Sequence, residues 1–194
     1  AVTGQTVWAP ASTYIPAVYA FTDASADPWF APAGLVRGAL GSVIRAERKL
    51  TSSNRDTLYE ANVNPIATFP GSGVVVFGQK TLQKRASALD RVNVRRLLIA
   101  LKSYIVQVSD NLVFEQNTNA TRNAFLAQVN PYLESVQQRQ GLYAFKVVMD
   151  ASNNTPDVID RNELVGQIYL QPTKTAEFVI LDFNVLPTGA TFPE

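Results

Sequence analysis

The chain has 194 residues, enough for one domain with its own core. It contains no cysteine and no histidine, which excludes disulfide frameworks, thiolate or imidazole catalysis, and metal sites built on either ligand. A net charge of +1 offers no global field for nucleic acid or an acidic membrane, and a charged fraction of 17% suits a surface partly covered by neighbouring subunits.

Residues 1–34 carry four prolines, Pro10, Pro16, Pro28 and Pro32, and are expected to form an extended, turning lead-in rather than a helix. No charged stretch precedes an apolar one at the start, so no signal peptide is expected there. The chain opens at Ala1 rather than at a methionine, which suggests a fragment of a longer protein. Ser42 to Arg45 are expected to form a short strand. Thr51, Ser52 or Ser53 can cap a helix carrying Asp56, Leu58, Tyr59 and Glu60, which must stop before Pro65. Val74 to Phe77, bounded by Gly73 and Gly78, reads as a buried strand.

The strongest periodicity follows. Asp90 is expected to cap a long helix on which Val94, Leu97, Leu98, Leu101, Tyr104, Ile105 and Val108 share one face. Its longest wholly apolar run, Leu97 to Leu101, is far short of the roughly 18 residues of a membrane span. A second helix is expected from Thr118 or Asn119, with Phe125, Leu126, Val129, Leu133 and Val136 on one side. Pro131 should kink or restart it and Gly141 should end it. The period then changes from about 3.6 to 2. Three strands are expected: one on Tyr143, Phe145, Val147 and Met149, one over Leu164 to Leu170, and one on Val179, Leu181, Phe183 and Val185. Together these elements predict an α+β fold in which a mixed β-sheet is covered by two long helices, near 90–110 and 119–140.

Three motifs carry possible chemistry, and each has a plainer reading. Gly73 to Thr81 nearly spells a phosphate-cradling loop, but Gln79 intrudes before Lys80, and a Val-Val-Val-Phe run suits a strand. The loop from Asp150 to Asp160 lacks the central glycine of a calcium loop, contains Pro156 and offers Arg161 where the bidentate glutamate belongs, so turn chemistry accounts for it better. Asp157, Asp160 and Glu163 could be paired carboxylates for glycoside hydrolysis, although no aromatic sugar platform lies nearby. No cofactor or metal is called for. Arg91, Arg95, Arg96 and Lys102 lie on the polar side of the long helix, as a solvated face or as a docking patch for an acidic partner surface.

Several stretches, taken in order, resemble the conserved C-terminal region of contractile-tail sheath proteins of large phages. They are Ala20-Phe-Thr-Asp23 with Trp29-Phe-Ala-Pro-Ala-Gly34, Leu58-Tyr-Glu-Ala-Asn-Val-Asn-Pro65-Ile66, Val76-Phe-Gly-Gln-Lys-Thr-Leu82, Asp90-Arg-Val-Asn-Val-Arg-Arg-Leu97, Phe114-Glu115-Gln-Asn117, and Asn153-Asn-Thr-Pro156 through Ile159-Asp-Arg-Asn-Glu163 to Gln171-Pro172. The resemblance spans about residue 14 to 185, and the phage branch looks closer than pyocin or type VI secretion sheaths. Position 116 is Gln where the family motif often has Pro.

The resemblance implies a structural protein and not an enzyme. It would be a subunit that polymerises helically around a tail tube and contracts to drive the tube through a target envelope. Implied partners are further copies of itself, the tube, the baseplate and the tail terminator, with no direct nucleic acid and no membrane insertion. The implied location is the virion tail, assembled in the host cytoplasm. On this reading 1–34 is the lead-in, 35–175 the conserved core and 176–194 a C-terminal arm. The arm's strand, with Phe178, Val179, Ile180, Leu181, Phe183 and Val185, would be donated to a neighbouring subunit, and Arg91, Arg95, Arg96 and Lys102 would dock the tube or a neighbour. A type VI or pyocin-like sheath component is the nearer alternative. A carboxylate-dependent hydrolase using Asp157 and Asp160 is the alternative of another class.

Overall fold

A computed structural model describes residues 4–181. The order of elements is a short 3-10 turn (Ala11–Thr13), α1 (Ile15–Ser25), α2 (Gly34–Arg37), α3 (Ser52–Glu60), β1 (Ile66–Phe69), β2 (Gly73–Val76), α4 (Val92–Asp110), α5 (Asn119–Gln138), β3 (Leu142–Val148), α6 (Pro156–Asp160) and β4 (Gln167–Pro172). Among the described residues, no helix is long and apolar enough to cross a membrane.

The main core lies between α4, α5 and the β3–β4 hairpin. Leu97, Leu101 and Val108 of α4 meet Phe125, Val129, Leu133 and Val136 of α5, with Trp29, Leu142 and Met149 closing the ends. Tyr104 and Tyr132 stack across the helix pair at 3.8 Å between ring centroids. Burial pushes the Tyr132 hydroxyl up. A smaller cluster of Val18, Leu40, Val74 and Val76 joins α1 to the β1–β2 hairpin.

The expected single mixed sheet is corrected to two separate two-stranded antiparallel sheets, β1–β2 and β3–β4. The β1–β2 connection is too short for the crossover that a parallel pair needs, whereas β3 and β4 run antiparallel although α6 lies between them. β1, missed in the sequence, is joined to β2 by a tight turn in which Ser72 N donates to Phe69 O at 3.2 Å. Pro70 leads that turn and Gly71 takes the positive φ (80°) that a type II turn requires of its third residue. The strand expected over Ser42 to Arg45 is absent. Residues 38–40 run along β2 instead, where Leu40 N donates to Val74 O at 2.9 Å and Val76 N donates to Gly38 O at 2.8 Å.

The lead-in is also corrected, because residues 1–34 include α1. Pro16 falls in the first turn of that helix, where its missing N–H leaves no bond unmade. Thr51 caps α3 through a reciprocal capping box with Asn54. Arg91, not Asp90, occupies the N-cap position of α4. Thr118 caps α5, which passes through Pro131 unbroken. Pro131 sits on the exposed side, so the carbonyl of Ala127 that it leaves without a donor faces water. At the end of α5 it is Gln140 that adopts positive φ (66°). Gly141 is needed for space: an added Cβ would lie 2.6 Å from Val136 Cγ1 and 3.2 Å from Trp29 Cδ2.

Candidate functional site

Two surfaces converge at the start of α4. The first is the root of the C-terminal segment. After β4, Thr173 Oγ1 donates to Gln140 O at 2.7 Å, and Thr175 Oγ1 accepts from Gln79 Nε2 at 2.6 Å. Gln79 is buried, and its backbone oxygen accepts from Val92 N at 2.8 Å. Two residues on, Glu177 accepts from Arg91 Nε at 2.7 Å and from Arg91 Nη2 at 3.0 Å. This planar fork is the strongest geometry available to such a pair. Tyr59 on α3 hydrogen-bonds the same carboxylate, and its ring meets Phe178 edge-on at 6.1 Å. Lys80 Nζ donates to Tyr59 O at 2.7 Å and lies over the Tyr59 ring at 3.5 Å. Burial pushes the Glu177 carboxyl up. Burial, helped by Arg91, pulls the Lys80 ammonium down.

Beyond this clasp the chain is in no regular element through residue 181, and Phe178, Val179, Ile180 and Leu181 are exposed. The strand expected there is therefore not formed over 178–181. A strand needs a hydrogen-bonding partner, and neither sheet pairs with these residues. Phe183 and Val185 lie outside the described residues.

The second surface is the outer side of α4, where the four basic residues separate by environment. Arg91 is committed to Glu177 and Asp90. Arg96 pairs with Asp23 and lies over the Tyr19 ring, 5.1 Å from its centroid. Arg95 and Lys102 are exposed, with no ion pair among the described residues. They share a stripe with Ile99 and Val106, which are 63% and 46% exposed. The spacing 95, 99, 102, 106 is that of one helix face. Sequence periodicity hid the two apolar members, because they interrupt a face that otherwise reads as polar.

The motifs with rival chemistry fold as structure. Gly73 to Val76 is β2, and Lys80 turns back to bridge Arg91 in place of cradling a phosphate. In the Asp150 loop, Ser152 Oγ and Ser152 N donate to Asp150 Oδ1 at 2.5 and 2.8 Å. The buried Asn154 holds Val165 through both its amide oxygen and its amide nitrogen. Asp157 and Asp160 are exposed on the short α6, Glu163 pairs with Arg161, and neither main cleft is lined by them. Among the described residues, no acidic cluster is placed to hold a metal ion.

Comparison with known proteins follows the same lines. Residues 85–186 match the family described as phage tail sheath C-terminal domain. The chain is 41% identical over 187 residues to the tail sheath protein of Vibrio phage KVP40 and 38% identical to that of Enterobacteria phage T4. Each alignment covers 96% of this chain and 28% of the relative, so the chain spans under a third of those proteins. Among solved structures, the contracted sheath complex of the extracellular contractile injection system PVC superimposes with a TM-score of 0.85 at 27% identity. That match covers 92% of this chain and 52% of the other. The contracted helical sheath of the anti-feeding prophage gives 0.81 at 28% identity, covering 90% and 50%.

Proposed function

The chain belongs to the phage tail sheath C-terminal domain family, and from that premise we propose that it is the polymerising core of a contractile sheath subunit in a virion tail. The observation that carries this reading is the agreement of almost the whole chain with contracted sheaths, one of them described as helical. Family and relatives are structural proteins, and the exposed positions of Asp157 and Asp160 give no support to a hydrolase. Electron microscopy of the full-length protein tests the proposal. Long, transversely striated tubes are expected, and a monodisperse monomer under all assembly conditions would overturn it.

Within that reading, the arm leaves its own domain at Glu177 and adds a strand to a neighbour. Its apolar residues Phe178, Val179, Ile180 and Leu181 are exposed in the single chain, a state that favours pairing with another copy. The β3–β4 pair suits the receiving role, since among the described residues no third strand occupies its outer edges. β4 alternates exposed and half-buried residues along its six positions, so an incoming alternating strand would find a defined register. Removing residues 178–194 is expected to leave a cooperatively folding monomer that no longer polymerises.

The outer stripe of α4 is the docking face for an acidic partner surface, the tail tube in this reading. Arg95 and Lys102 supply charge there, and Ile99 and Val106 supply apolar contact. Arg91 and Arg96 act within the subunit, holding the arm root and α1.

A further inference from the structure

The turn between α4 and α5 ends in a feature that the arm and the docking helix leave unexplained. Phe114 is 100% exposed and has φ 71°, a conformation that a bulky L-residue rarely adopts. The turn is nonetheless firmly braced. Glu115 N donates to Leu112 O at 3.1 Å, Thr121 Oγ1 donates to Gln116 O at 2.7 Å, and Asn117 Nδ2 reaches Glu163 O at 2.9 Å. The buried Arg122 donates through Nε to Asn117 Oδ1 at 3.0 Å. A strained, solvent-exposed aromatic on a rigid frame is costly unless something receives it. Val113 beside it is also exposed, and the tip is acidic: Asp110 and Glu115 flank Phe114, and no Lys or Arg occurs between Lys102 and Arg122.

Between α1 and the β1–β2 hairpin lies a cleft of about 440 Å³, none of whose lining residues belongs to the α4–α5 turn. Ile15, Val18, Pro32, Val63, Ile66 and Leu82 line it, and Leu82 at its lip is 90% exposed. Lys84 and Arg85 follow Leu82 along an exposed segment that contains no acid before Asp90. Thus the molecule carries an acidic apolar knob and an apolar socket whose lip residue Leu82 is followed by two exposed basic residues. Complementary patches of that kind make a heterologous contact, which generates an open helix of copies rather than a closed pair.

We propose that Phe114 of one copy seats in the α1/β1–β2 cleft of a second copy of this chain, forming a subunit contact separate from the arm. This rests on the reading that the chain polymerises, and its test separates the two. The chain contains no cysteine, so placed thiols report only their own proximity. Phe114→Gly suits the backbone at that position, and should leave the thermal transition of the monomer unchanged or higher. The same substitution should raise the protein concentration needed for assembly by at least about tenfold. Val113→Cys copies mixed with Leu82→Cys copies should be joined by a short bismaleimide on assembly, and adding Phe114→Gly should abolish that product.

Normal assembly of Phe114→Gly would overturn the contact. So would tubes in which Val113→Cys is never joined to Leu82→Cys, or is joined only to the tail tube or to the arm; in each of these cases the sheath reading stands. Failure of the unsubstituted protein to form any helical assembly would overturn both.

Discussion

The Glu177 carboxylate receives both Nε and Nη2 of Arg91, at 2.7 and 3.0 Å, so the N-cap residue of α4 grips the chain at the point where the arm departs. The side chains are 27% and 20% exposed, so solvent screens the pair only in part. A double-mutant cycle of Arg91→Gln and Glu177→Gln should give a coupling of about 0.5–3 kcal/mol. The cycle should be read from hydrogen exchange of the Glu177 and Phe178 amides, which report arm release. Arg91→Lys should behave nearly as badly as Arg91→Gln, because a lysine cannot make the two-pronged contact.

Arg95 and Lys102 should be dispensable for folding and needed for docking. Reversing both charges should leave stability within about 0.5 kcal/mol of the original, as for other exposed positions. Sheath assembly on tubes should weaken at low ionic strength, and the deficit should shrink as salt rises and screens the contact. Sedimentation of assembled sheath across a salt series checks this. A deficit independent of salt would point to Ile99 and Val106 as the dominant contacts.

Leu133 is wholly buried between α4 and α5, whereas Leu82 is 90% exposed. Leu133→Ala should therefore cost about 2–5 kcal/mol of unfolding free energy, and Leu82→Ala almost none. Urea denaturation of the two variants compares them directly.

Gly141 and Gln140 make an adjacent pair with opposite requirements. Gly141→Ala puts a methyl against Val136 and Trp29 and should cost about 1–3 kcal/mol by overpacking. Gln140→Gly relieves a left-handed residue and should raise stability by about 1 kcal/mol. Thermal melts should move in opposite directions.

The Asp150 carboxyl is held below its ordinary value of 3.8, first by the Ser152 hydroxyl and then by the Ser152 amide. A carboxylate whose folded pKa is depressed stabilises the fold above its unfolded pKa and loses that contribution as pH falls through the folded one. Acid titration followed by NMR should show the turn at 150–155 loosening below pH 3.8. Asp150→Asn should remove that part of the acid dependence.

The sequence by itself determined the two long helices and α3, but not α1, α2 or α6. Apolar residues at the helical period placed Leu97, Leu101, Val108, Phe125, Val129, Leu133 and Val136 in the core, because an amphipathic face is written into local spacing. It also offered Thr51, with Ser52 and Ser53, as the cap of α3, put the start of α5 at Thr118 or Asn119, and excluded His- and Cys-dependent chemistry. Strand partners were not legible, since a period of two states which residues share a face and says nothing of which edge they join. That is why one mixed sheet was expected where two hairpins exist. Nor did the helical spacing of Arg91, Arg95, Arg96 and Lys102 distinguish their roles. Only the tertiary structure brought Glu177 to Arg91 and Asp23 to Arg96, pairs separated by more than seventy residues. An ion pair depends on distance in space, and that distance is fixed by packing rather than by position along the chain.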